Sequence, residues 1–319
     1  MRRILSIDGG GVRGLIPATV LAELERQTGR LTREWFDFVA GTSSGAILTA
    51  GIAAGIPAAR LVTLFEERAP RLLRTVPVVS QLRRVIGGSM FDTHALHRLI
   101  REELGPVAGD WSLNDAPIDL LITAKRLSDG MPWYFVRDNP ANSCRAGSYR
   151  LADAVTASAA APTYFPPWPI AGIGELIDGG MGVAGNPVYQ ACVEAFSYDD
   201  YRPADTVVVS LGTGRVLERP RPGWLGAWLG WLLSELLRSP GEQQTELVHR
   251  HYPEARFYRV DVALEREIRL EEVSRIPALR AIGERLAASV EWDAILAGAD
   301  DRRLVTDSLT LVREYAEPA

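Results

Sequence analysis

Short apolar runs alternate with longer stretches of helical periodicity along the N-terminal part of the chain. Residues Arg3 to Asp8 predict a strand, and Leu15 to Thr28 predict a helix that ends at Gly29. A second strand, Trp35 to Ala40, precedes a second helix that reaches Gly55. Strands that alternate with helices favour a mainly parallel sheet, because parallel strands need crossover connections between them.

Further apolar and β-branched runs extend this sheet. They are Ile118 to Ala124, Trp133 to Val136, Glu175 to Asp178, Thr206 to Ser210 and Phe257 to Val260. Helical patterns cover Ala58 to Arg68, Thr93 to Glu103 with Asp92 as N-cap, Leu151 to Ala159, Pro187 to Phe196 and Ala278 to Leu296. We therefore predict a three-layer α/β/α fold with a mainly parallel central sheet. We expect one domain over residues 1–319, with a cap or lid insertion at about 215–241.

The uncharged stretch from Phe38 to Ala59 is long enough to span a bilayer, for which about 20 apolar residues suffice. It contains Gly, Ser and Thr throughout, and Pro57 interrupts it. A buried strand, turn and helix is therefore the better interpretation.

The overall composition is that of a globular protein, with 47% hydrophobic and 24% charged residues among 319. The formal net charge of −5 argues against a nucleic-acid partner, because binding to phosphates requires clustered positive charge. Only four residues, Ile4 to Ile7, lie between Arg3 and Asp8, which is too short for the apolar core of a signal peptide. We therefore expect a cytoplasmic protein.

Patterns typical of metal sites are weak. Cys144 and Cys192 lie far apart and have no CxxC spacing, which predicts neither a zinc site nor a disulfide framework. His94 and His97 lie beside Asp92 at a spacing that could suggest a metal, but no third ligand group accompanies them. A solvated helix face is the simpler interpretation, and we predict no metal.

A glycine-rich loop joins the first strand to the first helix. The pattern Gly9-x-Gly11-x-x-Gly14 also matches the dinucleotide-binding fingerprint. That fingerprint needs an acidic residue at the end of the second strand, which here ends in Ala40-Gly41-Thr42 instead. Backbone amides at a helix N-terminus stabilise developing negative charge, so the loop fits an oxyanion hole better than a nucleotide site.

The turn after the second strand reads Gly41-Thr42-Ser43-Ser44-Gly45 and matches the G-x-S-x-G nucleophile elbow. In that elbow the glycines let strand and helix pass closely, while the serine is held in a strained conformation with its hydroxyl outward. The alternative is an ordinary glycine-rich turn. The preceding strand and the nearby glycine loop favour the elbow, with Ser43 as the nucleophile of an acyl hydrolase.

A serine nucleophile needs a base, and histidine is the usual one. One hypothesis is a triad in which Ser43 and Asp178 are joined by a histidine from the C-terminal third. The candidates are His249 and His251. In the α/β-hydrolase fold several strands precede the nucleophile, whereas Ser43 follows only the second strand, so this template fits poorly.

Asp178 is the remaining candidate base, within Ile177-Asp178-Gly179-Gly180 at the end of an apolar strand. A carboxylate with an unperturbed pKa of about 3.9 is a weak base. Burial and direct contact with the serine hydroxyl must therefore help it. A Ser43–Asp178 dyad is chemically sufficient if the contact is tight, and the alternative is a turn aspartate before glycines.

Three motifs follow one another along the chain: Asp8-Gly9-Gly10-Gly11-Val12-Arg13-Gly14, Gly41-Thr42-Ser43-Ser44-Gly45 and Asp178-Gly179-Gly180. In the order and spacing of these motifs the chain resembles the patatin-like phospholipase family. Two shorter matches, Ala157 to Phe165 and Ser210 to Gly214, extend the resemblance to about residue 215. Family members often carry two asparagines before the proline of Gly185-Asn186-Pro187, and we expect this difference to alter loop packing only.

The resemblance implies a patatin-like fold and a dyad in which Ser43 is the nucleophile and Asp178 the base. It implies that the amides of Gly9, Gly10 and Gly11 form the oxyanion hole. The remaining motif residues with supporting roles are Asp8, Arg13, Gly14, Gly41, Gly45, Gly179 and Gly180. No metal or organic cofactor is implied. The implied products are a fatty acid and a lysolipid or alcohol, formed through an acyl-Ser43 intermediate.

Residues 224–237 carry Trp224, Trp228 and Trp231 at helical spacing among leucines. Tryptophan is favourable at a boundary between oil and water, so a lid or membrane-docking helix is one interpretation. A helix buried in the core or in a dimer interface is the other. A lipid or ester is the expected substrate, with peripheral contact to a membrane or micelle surface, and a homodimer stays open.

Two further functions stay open beside that of a phospholipase A, lysophospholipase or esterase. One is a membrane-degrading effector whose latent activity is switched on by a small-molecule activator, for example a cyclic nucleotide. The resemblance implies this function because it extends to bacterial effectors of that kind. The other is a nicotinamide oxidoreductase, which would have to bind NAD(P) at the glycine loop.

Overall fold

The computed structural model describes residues 1–73, 89–142, 146–182, 184–216, 221, 223–224, 228 and 242–299. The described residues form a sheet of eight strands in the order β5-β6-β3-β2-β1-β7-β8, with β4 paired to β3. The strands are β1 (Arg2–Ile7), β2 (Phe38–Gly41), β3 (Asp119–Arg126), β4 (Pro132–Val136), β5 (Trp168–Ile170), β6 (Gly174–Asp178), β7 (Thr206–Leu211) and β8 (Arg256–Val260).

The middle of the sheet is parallel and one side of it is antiparallel. Strands β3, β2, β1, β7 and β8 pair in parallel in that order. Strands β4 and β6 each pair antiparallel with β3, and β5 pairs antiparallel with β6. The predicted mainly parallel sheet is confirmed, and the antiparallel side adds a strand, β5, that the sequence pattern did not predict.

Helices cover both faces of the sheet. They are α1 (Leu15–Thr28), α2 (Ser44–Ala53), α3 (Ala58–Thr63, prolonged by the π-helical turn Leu64–Arg68 and the α-helical turn Ala69–Leu72), α4 (Thr93–Ala108), α5 (Leu151–Ala159), α6 (Val188–Val193), α7 (242–251), α8 (Ile276–Ala288) and α9 (Trp292–Ala297). Leu5 and Ile7 pack with α1, α2 and α8 on one face, while Ile4 packs with α6 and α7 on the other. This alternation along β1 produces the predicted three layers.

Most predicted elements agree with the structure to within a few residues. Helix α1 has the predicted bounds, and Gly29 ends it in the left-handed conformation with φ 66°. Asp92 caps α4 by accepting a hydrogen bond from the His94 amide. The stretch from Phe38 to Ala59 is a strand, a turn and helical segments, as predicted.

The predicted single helix from Ala278 to Leu296 is wrong. The chain forms two helices, α8 and α9, separated at Ser289. The Ser289 amide and hydroxyl both donate to the Leu286 carbonyl, which ends α8. The break places Trp292 in the core, where it is 1% exposed.

Two predicted features lie almost wholly outside the described residues. These are the cap or lid at 215–241 and the tryptophan-rich stretch 224–237. Within the described parts of the chain, no helix combines the length and apolarity that crossing a bilayer requires.

Candidate functional site

The glycine loop and the serine elbow meet because β1 and β2 are parallel neighbours. Ile7 at the end of β1 pairs with Gly41 at the end of β2, so the loops that follow leave the sheet side by side. A Cβ atom placed on Gly9 would lie 3.2 Å from Ser43 Cβ. The structure therefore brings together the first two sequence motifs.

Ser43 has the strained backbone that a nucleophile elbow requires, with φ 55° and ψ −120°. A side chain on Gly41 would overlap the Gly45 carbonyl, and one on Gly45 would overlap the Ile7 carbonyl. Only glycine fits both positions. The Ser43 amide donates to Ser158 Oγ at 2.9 Å, which fixes the elbow against α5.

Asp178 reaches the elbow on an antiparallel strand. Strand β3 extends beyond β2, and Asp178 at the end of β6 pairs with Ala124 on that extension. The side chain is buried, and its Oδ1 accepts a hydrogen bond from the Gly180 amide at 2.7 Å. Burial raises the pKa of Asp178 to about 6, against the opposing hydrogen bonds from Ser43 and Gly180. The two predicted dyad residues are therefore in contact.

Glycines also set the shape of the loop after Asp178. A Cβ on Gly179 would overlap the Thr123 side chain on β3. Thr123 Oγ1 in turn lies 2.7 Å from Thr42 Oγ1 in the elbow. The buried Thr123 side chain thus lies against both the Asp178 loop and the serine elbow, and it fixes the distance between them.

The three amides predicted for the oxyanion hole have different partners. The Gly9 amide donates to the Gly185 carbonyl at 3.0 Å, and the Gly10 amide donates to Ser44 Oγ at 3.0 Å. The Gly11 amide has no acceptor among the described residues. In this conformation Gly11 therefore presents an available donor beside Ser43, whereas Gly9 and Gly10 are bonded within the protein.

The glycine loop is held in place by residues near its end and after β7. Arg13 Nε donates to the Gly10 carbonyl at 3.3 Å, and Arg13 Nη1 donates to the Gly214 carbonyl at 3.2 Å. Thr213 Oγ1 donates to the Gly9 carbonyl at 2.9 Å. The Ser210 to Gly214 match thus has a structural role as the support of the glycine loop.

Arg259 on β8 ties that support to the start of the glycine loop. Its guanidinium makes two bonds to Asp8, of 2.9 and 2.5 Å, and one to Asp261, of 3.0 Å. Burial lowers the pKa of Arg259, but the charges of Asp8 and Asp261 outweigh this effect and raise it. Sequence reasoning missed Arg259 and Asp261, although a charged residue inside the apolar run Phe257 to Val260 was a usable signal.

We expect Arg259→Met to lower the free energy of unfolding by about 3–5 kcal/mol, because it leaves Asp8 and Asp261 buried without their counter-charge. Urea denaturation at pH 7.5 measures this loss. Arg256→Met on the same strand is the matched control and should cost less than about 1 kcal/mol, since Arg256 makes no buried ion pair among the described residues. Equal losses in the two variants would contradict the assignment.

An apolar cleft opens at Ser43. Its walls come from the glycine loop, the end of α3, helix α4, the segment after α5 and a loop before α8. Typical members are Val12, Phe65, Leu96, Phe165 and Leu270. A lining of this kind suits a hydrocarbon chain, because burial of apolar surface is favourable.

The histidines have partners away from the cleft. His251 Nδ1 lies 2.7 Å from the Tyr189 hydroxyl on α6, and the His249 ring packs edge-on against Phe257. His97 stacks on Trp168 and lies 3.0 Å from Thr156 Oγ1, so this helix face is partly buried rather than solvated. Within the described ranges, no three His, Cys, Asp or Glu side chains group as metal ligands would.

The chain is similar to several known proteins. A cGAMP-activated phospholipase of Escherichia coli is 32% identical over 223 residues, 66% of this chain and 62% of that protein. Patatin-17 of Solanum cardiophyllum is 33% identical over 174 residues, 52% of this chain and 44% of that protein. The solved structure of VipD from Legionella pneumophila gives a TM-score of 0.46 at 13% identity, over 90% of this chain and 67% of that one.

The fold and the site together define a three-layer α/β protein with a serine elbow between a glycine loop and a buried aspartate. Residues 5–192, which are more than half of the chain, match the family described as patatin-like phospholipase. The chain belongs to the patatin-like phospholipase family. It spans less than two thirds of the length of the curated relatives named above.

Proposed function

We propose that this protein is a lipid acyl hydrolase that cleaves carboxylic esters through an acyl-Ser43 intermediate. The observation that carries the proposal is the contact of the strained Ser43, which lines an apolar cleft, with the buried Asp178. The cleft offers an environment for an acyl chain, and the dyad offers a nucleophile with its base. The family supports lipid hydrolysis as the class of reaction.

In the first step the Ser43 hydroxyl attacks the ester carbonyl and Asp178 accepts its proton. A pKa of about 6 makes Asp178 a stronger base than an exposed aspartate, while it stays mainly ionised at pH 7. The strained elbow holds the hydroxyl in place, so little rotational freedom is lost when the ester binds. The proton on Asp178 then passes to the leaving alkoxide.

The negative charge on the tetrahedral intermediate falls between two helix N-termini. The Gly11 amide precedes α1, and the Ser44 amide is the first of α2; neither has an acceptor among the described residues. The Gly10 amide can join them when Ser44 Oγ releases it. We propose these amides as the oxyanion donors, with the Gly9 amide holding the loop to Gly185.

In the second step water attacks the acyl-Ser43 ester, with Asp178 again as the base, and the fatty acid leaves. Hydrolysis of phospholipid vesicles in H₂¹⁸O tests this proposal. Lipid mass spectrometry should show free fatty acid with one ¹⁸O and a lysolipid with none, because water enters only at the acyl group. Absence of fatty acid from phospholipid, lysophospholipid and simple esters alike, both with and without added cGAMP, would refute it.

A second candidate function is the same hydrolysis under the control of a small-molecule activator. It is favoured by the similarity to a protein named as a cGAMP-activated phospholipase. Vesicle hydrolysis should then be near background without cGAMP and rise upon its addition. Full hydrolysis by the purified protein without any added nucleotide would count against this candidate and leave the first intact.

A further inference from the structure

Strand β4 lies at an edge of the sheet, paired to β3 on one side and to no other strand among the described residues. The Arg126 amide donates to the Met131 carbonyl at 2.9 Å, where β3 meets β4. Bonded and non-bonded pairs alternate along an antiparallel ladder, so the odd-numbered residues of β4 bond to β3. The even-numbered residues, Pro132, Tyr134 and Val136, therefore point their backbone groups away from β3.

These outward backbone groups have no hydrogen-bond partner within the described part of the chain. Tyr134 and Val136 each present an amide and a carbonyl, while Pro132 presents a carbonyl and has no N–H. Pro132 is exposed, and Tyr134 and Val136 are partly exposed. A row of unpaired backbone groups at a sheet edge is a template for the pairing of another strand.

The other two edges of the described sheet have features that oppose such pairing. Strand β5 is three residues long and has Pro169 at its centre, and β8 carries two arginines among its five residues. Short length, proline and charge are the features by which proteins protect sheet edges. From Trp133 to Val136, β4 reads Trp-Tyr-Phe-Val and has none of them. This edge is therefore the one suited to a partner strand.

A second copy of β4 fits this edge in an antiparallel register centred on Tyr134. When Tyr134 lies opposite Tyr134 of the second copy, the amide of each donates to the carbonyl of the other. The Val136 amide of each copy then donates to the Pro132 carbonyl of the other copy. Every outward amide thereby gains an acceptor, and the proline falls where no donor is needed.

The residues that flank the strand are compatible with this register. Met131 is 56% exposed, and Arg137 of the second copy would lie opposite it. An arginine stem covers apolar surface while its charged group stays in water. Arg137 is also paired with Asp119 on β3, at 3.1 Å. The register therefore places no like charges opposite one another at these flanking positions.

We propose that β4 is a dimerisation strand, through which two copies of this chain join their sheets about a two-fold axis at Tyr134. Both copies use the same surface, as in most symmetric dimers. The axis is perpendicular to the sheet, so the two Ser43 sites lie at opposite ends of the joined sheet. The inference does not depend on the proposed function, because it concerns an edge on which no catalytic residue lies.

Sedimentation velocity of the full chain at increasing concentrations tests this association. We expect a species of twice the 34.9 kDa of one chain, which dissociates on dilution. Hydrogen exchange followed by mass spectrometry is measured on the same samples. The amides of Tyr134 and Val136 should exchange more slowly as the concentration rises, because the second copy then occupies the edge.

Val136→Pro should raise the dissociation constant of the dimer by about 10-fold or more. It removes one intermolecular hydrogen bond from each copy, and such bonds contribute about 1 kcal/mol each. The ladder to β3 stays intact, because the Val136 amide points outward and proline is tolerated at such positions. Val136→Thr is the matched control: it keeps the amide and the β-branched shape, so the dissociation constant should not change.

Tyr134→Cys tests the register independently of the proline variant. Directly opposed residues in a hydrogen-bonded pair have Cα atoms about 5.5 Å apart, which a disulfide can span. Mild oxidation should therefore join the two substituted positions, and peptide mass spectrometry locates the link. Tyr198→Cys is the control, because Tyr198 is 43% exposed and lies outside β4, and it should give no such link.

A wild-type protein that is monomeric up to about 100 μM would overturn the proposal. Slow exchange of the Tyr134 and Val136 amides in that monomer would assign the edge to another part of the chain. A dimer that persists unchanged in folded Val136→Pro, or that gives no disulfide in Tyr134→Cys, would overturn the proposal as well. If Val136→Pro does not fold, the disulfide in Tyr134→Cys decides the outcome alone.

Discussion

Ser43→Ala is expected to lower ester hydrolysis by about 10⁴-fold or more while the protein stays folded. Loss of a serine nucleophile removes the covalent route altogether, and effects of this size are typical of such enzymes. The backbone of the elbow is held by the Ser158 contact and by Gly41 and Gly45, none of which involves the Ser43 hydroxyl. Initial rates on a soluble p-nitrophenyl ester and on vesicles measure the loss.

The matched control is Ser128→Ala, which removes an exposed hydroxyl from the turn between β3 and β4. It should keep the wild-type rate. A fluorophosphonate probe should label the wild-type protein and this control, and peptide mass spectrometry should place the label on Ser43. More than about 1% of wild-type activity in Ser43→Ala, measured on protein with native circular dichroism, would exclude the acyl-Ser43 route.

Asp178→Asn is expected to lower kcat by about 10³-fold or more, because the amide cannot accept the serine proton. Wild-type kcat/KM should rise with pH up to about 6 and then level off, as Asp178 loses its proton. Both are measured on a soluble ester across about pH 4 to 8, about two units on either side of that pKa. A flat wild-type profile would contradict Asp178 as the base.

The same substitution should make the protein more stable at neutral pH. The folded protein raises the pKa of Asp178 from 3.8 to about 6, so its ionised form is disfavoured by folding. That penalty is absent below the unfolded pKa and complete above the folded one, where it reaches up to about 3 kcal/mol. Asp178→Asn should therefore unfold at higher urea than the wild type at pH 7.5, and the gain should vanish towards pH 4.

Asp205→Asn, at an exposed carboxylate, is the control for this stability effect and should leave the urea midpoint unchanged at both pH values. A loss of stability in Asp178→Asn at pH 7.5 would mean that the carboxylate is better compensated than its burial indicates. Higher stability with lost activity is the expected signature of a functional buried charge.

Local sequence patterns were sufficient for the elements that contain the site. The period of apolar residues predicted α1 to the residue, and the strand preceding each glycine motif was found. The glycine positions carried most of the information, because Gly41 and Gly45 tolerate no side chain. Such requirements are local, so they are visible in sequence.

Contacts between distant segments were harder to predict. The Asp178 motif was recognised, but its delivery by an antiparallel strand depends on how far β3 extends beyond β2. Ser158 lies within a recognised stretch, yet its bond to the Ser43 amide depends on the packing of α5. Arg259 acts through tertiary contacts, and apolar periodicity contains no information about its partners.

The arrangement of β1 between β2 and β7 has a consequence for folding during translation. The glycine loop is synthesised before Thr213, which bonds to it, and before Arg259, which bonds to Asp8 at its start. Contacts of such high sequence separation form only after the intervening chain has emerged. A ribosome-bound nascent chain that ends before β8 therefore lacks the Arg259 ion pair to Asp8, so the bracing of the glycine loop is completed only after β8 has emerged.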